Sequence, residues 1–166
     1  TQKFEVGEFQ QSLDDLRGTP FQRFTDLLLR VNVTPGKVDW FDDEAWSVVT
    51  HNFGVAARIA KEGGCKGFMF DVEQYEAMLF NYAKQPHRDA KTFAEFQAKV
   101  RQRGQEWVRE VNRHFADITI LLTFGYGITG VGGDRSQAPY GLLKNLLDGM
   151  LEAADDKAII VDAYEG

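Results

Sequence analysis

A chain of 166 residues with 43% apolar side chains carries enough hydrophobic material for one domain with a sizeable core, which argues against a disordered segment. Its 25 acidic and 19 basic residues leave a formal charge of −6 spread along the chain, so the concentrated basic face of a nucleic-acid binder is missing. No run approaches the roughly 18 uninterrupted apolar residues of a membrane span, and the single cysteine, Cys65, lacks a Cys or His at zinc spacing and reads as a small buried thiol.

Taken in chain order, apolar residues Val6, Phe9, Leu13 and Leu16 predict a short helix over 5–17 that Gly18-Thr19-Pro20 interrupts. The stretch 24–33 is dense in apolar and β-branched residues and predicts a first strand, closed by the turn signal Thr34-Pro35-Gly36. From the N-cap candidates Asp42 and Asp43, the series Trp46, Val49, Phe53, Ala56, Ala57, Ile59 and Ala60 predicts an amphipathic helix stopped by Gly63-Gly64. A second strand is expected over 66–75, where Phe68-Met69-Phe70 runs into Asp71-Val72-Glu73. A long helix over 92–114, a third strand over 117–126, a glycine-rich loop to Gly133, a helix over 140–154 and a fourth strand over 157–164 complete the series.

Strand, helix, strand, helix, strand, helix, strand implies right-handed crossovers and a parallel sheet with helices outside it. The first strand-to-helix turn, Val33-Thr34-Pro35-Gly36-Lys37, lacks the glycine spacing of a dinucleotide-binding fold. The expected architecture is therefore α/β, with parallel (β/α) units forming about half of a TIM-type (β/α)8 barrel, and residues 1–166 as a single partial barrel domain. Open parallel edges would then invite a homo-oligomer or association with the missing half of the barrel.

In such a barrel the chemistry gathers at the C-terminal ends of the strands. Asp71 and Glu73, two apart on the second strand, are expected on one side, with Phe68, Phe70 and Val72 packing under the helices. The same alternation puts Arg30 with Asn32 on the first strand and Asp162 with Tyr164 on the fourth. Crowding of Asp71, Glu73 and Asp162 would raise at least one carboxyl pKa, as a general acid requires, while Arg30 would favour ionisation. Trp40, Phe41, Tyr75, Phe80 and Tyr82 are candidates for stacking on sugar rings or for core packing, and Tyr126 opens a loop, 125–134, that reads either as substrate-facing or as a connection. His51, His87 and His114 are scattered and read as structural.

The segment Lys66-Gly67-Phe68-Met69-Phe70-Asp71-Val72-Glu73-Gln74-Tyr75 resembles the strand of barrel glycosidases of the chitinase type, in which an apolar run leads into Asp-x-Glu followed closely by an aromatic residue. The helix ending Ala56-Ala57-Arg58-Ile59-Ala60-Lys61-Glu62-Gly63-Gly64 is similar to the helix before that strand, and Val161-Asp162-Ala163-Tyr164 is loosely similar to a later one. The chain departs from the family in carrying Met69 where its longer acidic series has an Asp, and in the residue order of the later strand. The resemblance implies Glu73 as general acid, Asp71 orienting the substrate's acetamido group, Asp162 and Tyr164 assisting, and a carbohydrate substrate. Arg30, Asn32, Tyr75, Tyr126 and Tyr164 are the expected substrate-binding residues. No cofactor, nucleic acid or membrane is called for. Two other readings of the same residues are a non-catalytic carbohydrate-binding or assembly module, and an enzyme whose Asp71, Glu73 and Asp162 hold a divalent cation.

Overall fold

A computed structural model describes residues 2–32, 36–75, 77–130 and 132–163. A 3-10 turn, Val6–Phe9, leads into helix α1, Gln10–Gly18, and strand β1, Leu28–Asn32. Helix α2 (Asp43–Glu62), β2 (Gly67–Asp71), α3 (Phe93–His114), β3 (Thr119–Leu122), α4 (Leu143–Ala153) and β4 (Ile159–Asp162) follow. The four strands form one parallel sheet in the order β1-β2-β3-β4, so each neighbour in sequence is a neighbour in space. The fold is α/β, with strands and helices alternating as the periodicities predict.

Caps fix the helix starts. The Asp42 carboxylate accepts the Ala45 N–H at the head of α2, and Thr92 and Glu95 form a reciprocal capping box on α3. Differences from the sequence reading lie at element ends. The helix expected over 5–17 begins as a 3-10 turn, and the helix expected from Tyr140 starts at Leu143 after a turn. The first strand covers 28–32 rather than 24–33, because β2, its one partner, offers rungs only from Gly67 to Asp71. Phe24, which lies before the first rung, is exposed. Strands two to four are shorter than expected for the same reason, and Val33 and Tyr164 lie outside the described residues.

One face of the sheet carries the helices. Phe68, Phe70, Ile120 and Leu122 are fully buried or nearly so, and Leu29, Val31 and Ile160 pack against the same core. The Phe70 ring stands 4.5 Å from Trp107 of α3 and 6.0 Å from Phe53 of α2, tying three elements through one aromatic cluster. Helices α3 and α4 approach closely at Gly104 and Gly149. A Cβ at Gly104 would strike the Leu146 carbonyl, and one at Gly149 the Arg101 carbonyl, both on the facing backbone. Their glycines therefore set how tightly the helical layer closes over β3 and β4.

Among the described residues the other face is open. By the pairing register it carries Leu28, Arg30 and Asn32 from β1, Met69 and Asp71 from β2, Thr119 and Leu121 from β3, and Ile159 and Val161 from β4. Its apolar members are absent from the packed core, with Ile159 56% and Val161 39% exposed. Among the described residues no helix is long and apolar enough to cross a membrane.

Candidate functional site

The open face ends, at the C-terminal side of β2, on a buried charge. The Asp71 side chain is only 2% exposed, and burying a lone carboxylate is costly unless each oxygen is met. Both are. Oδ2 accepts Arg30 Nε at 3.1 Å and Nη2 at 2.5 Å, while Oδ1 accepts the Glu73 N–H at 3.0 Å. Register explains the pairing, since Asn32 lies directly beside Asp71 and Arg30 projects on the same face one alternate position earlier. The Arg30 side chain is 63% exposed, and its pKa is raised by the hydrogen bond to Asp71 and by that residue's charge, with a smaller contribution from Glu73.

Strand geometry stops at Asp71, so the spacing argument that put Asp71 and Glu73 on one side does not extend to the second residue. What joins them is the Asp71 Oδ1 bond to the Glu73 backbone. Glu73 is half-buried, and the hydroxyl of Tyr75 donates to its carboxylate. Tyr75 itself is 61% exposed. Two acids two residues apart thus sit in unlike surroundings: one buried against a cation, the other at the surface under a phenol.

Residues that the motif did not reveal hold this loop. Thr123, just past β3, accepts the Val72 N–H at 3.2 Å. The Tyr140 hydroxyl accepts the Gln74 N–H at 3.2 Å, and the Gln74 side chain bridges Pro139 O at 3.0 Å and the Phe80 N–H at 2.7 Å. These contacts span up to 66 residues. The only local sign of them is a run of polar side chains after a strand, which is common to most strand ends.

Other expected site residues go elsewhere. Asp162 pairs in register with Leu122 and, through it, Phe70, so it belongs to the helix-bearing face and not to the face of Asp71. Its carboxylate lies against Gly125, where any Cβ would collide with it. The expected crowding of Asp71, Glu73 and Asp162 does not form, nor does a three-carboxylate cation site. Among the described residues no group of three His, Cys, Asp or Glu side chains is placed to hold a metal ion. Tyr126 sits in a 3-10 turn, Tyr126–Ile128, with its hydroxyl donated to Asp148 of α4 at 2.8 Å, so it is committed to the helical layer. Burial first, then the Asp148 bond and charge, push its pKa well above the usual phenol range. Asn32 is exposed at the end of β1, next to Asp71. Tyr164 lies outside the described residues.

Of the aromatic candidates, Trp40 and Phe80 are fully buried, and the Trp40 and Trp46 rings stack at 4.7 Å. Tyr82 and Phe41 both pack edge-on against Phe96. Core packing claims these four, and Tyr75 alone of the five stands largely exposed. The histidines are spread apart: His51 faces the Phe4 carbonyl at 2.8 Å, His87 the Asp39 carboxylate at 2.9 Å, and His114 the Glu110 carboxylate at 3.3 Å. Comparison of the chain with protein-family models, with curated proteins and with solved structures found no match to any of them.

Proposed function

We propose that residues 1–166 form half of an eight-stranded (β/α) barrel whose mouth acts on glycosidic bonds, with Glu73 as general acid. A parallel sheet in sequential order, helices on one face and carboxylates at the strand ends support the barrel reading. The observation that carries the chemistry is the division of labour between the two acids. Asp71 is fixed by Arg30 and in turn fixes the Glu73 backbone, while the half-buried Glu73 carboxylate accepts the hydroxyl of the exposed Tyr75.

In this reading Glu73 donates a proton to the leaving oxygen as the bond to the anomeric carbon breaks. Asp71, closed off from solvent, holds negative charge beneath the site and orients Glu73 through its backbone N–H, where the sequence reading had it orient the sugar's substituent. The exposed face of Tyr75 stacks on the ring. Arg30 becomes a positioning residue through Asp71, where the sequence reading had it contact sugar directly. Tyr75 stands at 61% exposure beside an acid, an arrangement that also suits sugar binding without turnover. Release of nitrophenol from a panel of aryl glycosides, N-acetylhexosaminides included, separates the two. Turnover supports the hydrolase, binding with no release supports the module, and neither across the panel contradicts both.

A further inference from the structure

The connection from β1 to α2 and the connection from β2 to α3 enclose a recess of about 540 Å³, within the size range of small-molecule sites. Its walls are mostly apolar. Val38 and Leu79 are buried at its base, with Ala77, Met78 and Pro86 beside them, and Met78 stays 43% exposed, so the apolar wall is reachable from solvent.

Two contacts brace one connection against the other. Trp40 Nε1 donates to the Leu79 carbonyl at 2.9 Å, and the His87 ring lies 2.9 Å from the Asp39 carboxylate. Among the described residues His87 is the one non-glycine with a left-handed backbone, φ 64°, a conformation that persists only where its surroundings impose it. The N–H groups of Ala90 and Lys91 impose it here, both donating to the His87 carbonyl at 2.9 Å. Gln85 closes the same connection by donating its side-chain amide to the Met78 and Asn81 carbonyls at 2.7 and 2.9 Å. The recess is therefore held open by packed and hydrogen-bonded walls from within this chain.

The charged residues lining it are Lys37, Asp39 and Lys84. Asp39 is already satisfied, one oxygen accepting the Phe41 N–H at 3.0 Å and the other facing His87. Lys37 and Lys84 are exposed and form no hydrogen bond or ion pair with any described residue. Farther along the chain Arg88 and Asp89 pair with each other, and Glu76, next to Ala77, lies outside the described residues.

We propose that this recess binds a small carboxylate with an apolar body, an alkyl or aryl acid whose tail lies against Met78 and Leu79 and whose anionic head meets Lys37 and Lys84. Complementarity carries the choice of ligand. Two unpaired cations beside an aliphatic base match one anionic head on an apolar tail. An uncharged sugar has neither part, and inorganic phosphate has no tail. The proposal goes beyond the glycosidic reading and fails separately from it, because none of Arg30, Asp71, Glu73 and Tyr75 lines the recess.

The test is calorimetric titration of the chain with hexanoate, octanoate and phenylpropionate, beside octanamide and inorganic phosphate, with the methionine methyl signals followed by NMR. The acids are expected to bind, and the amide and phosphate to bind about tenfold more weakly or not at all. Added salt should weaken the acids. The Met78 methyl signal should move, while that of Met150, fully buried in α4, should not. Lys37→Met and Lys84→Met change exposed side chains, so the fold should be kept by circular dichroism. Each should weaken the acids about threefold, and the double variant about tenfold. The proposal is overturned if no acid binds at about 10 mM, or if the amide or phosphate binds as tightly as the acids. It is also overturned by acids that leave the Met78 methyl signal unmoved, or by a double variant that binds them like the parent.

Discussion

Arg30 and Asp71 are joined across two neighbouring strands by hydrogen bonds of 2.5 and 3.1 Å to a single carboxylate oxygen, one partner exposed to water and the other closed off from it. The asymmetry gives the pair a direction. Removing the cation strands a buried anion, whereas neutralising the anion leaves an arginine that can turn to solvent.

Arg30→Met is therefore expected to lower the thermal midpoint by several degrees, since an orphaned buried Asp71 carboxylate costs roughly 1–3 kcal/mol. Asp71→Asn should cost less, and the double variant should recover part of the Arg30→Met loss. Thermal unfolding of the four proteins checks it, and additive losses would mean that the two residues are not energetically coupled.

The packing of α3 on α4 makes a second prediction. Gly104→Ala places a methyl group inside the Leu146 carbonyl, on backbone that cannot swing aside. Overpacking of this kind costs about 1–3 kcal/mol, and each kcal/mol moves the midpoint about 2–4 °C in a chain of this size. Gly7→Ala, with nothing near its Cβ, is the control and should leave the midpoint almost unchanged.

A third concerns pH. Burial would raise the Asp148 pKa, but hydrogen bonds from Lys144 and Tyr126 and the Lys144 charge outweigh it and hold it below 3.8. The unfolded chain then takes up this proton first, so the contribution is present above pH 3.8 and is lost as pH falls through the lower folded value. Tyr126 works in the opposite direction: its folded pKa lies above 10.0, so stability is retained below that pH and declines as pH rises beyond it. Midpoints measured across pH should fall at both ends. Asp148→Asn should flatten the acid limb, and Tyr126→Phe the alkaline one.

Much of this was legible in the sequence. The 3.6-residue periodicity of α2 and α3, with Asp42 and Asp43 as cap candidates for α2, located the helices, and the apolar run ending in Asp71 located β2. What the sequence did not carry was pairing. Strand lengths depend on how many rungs a neighbour offers, and the face of Asp162 depends on its register with Leu122, neither of which is written locally. The loop contacts of Thr123 and Tyr140 were hidden for the same reason, because each meets a partner more than fifty residues away.

The most direct test of Glu73 as proton donor compares leaving groups. A glycoside of an alcohol needs protonation to depart, whereas a dinitrophenyl glycoside does not. Glu73→Gln is expected to slow the first by about 10²–10⁴-fold and the second far less, with the thermal midpoint unchanged. Equal turnover of the alcohol glycoside by the parent and the variant would contradict the assignment.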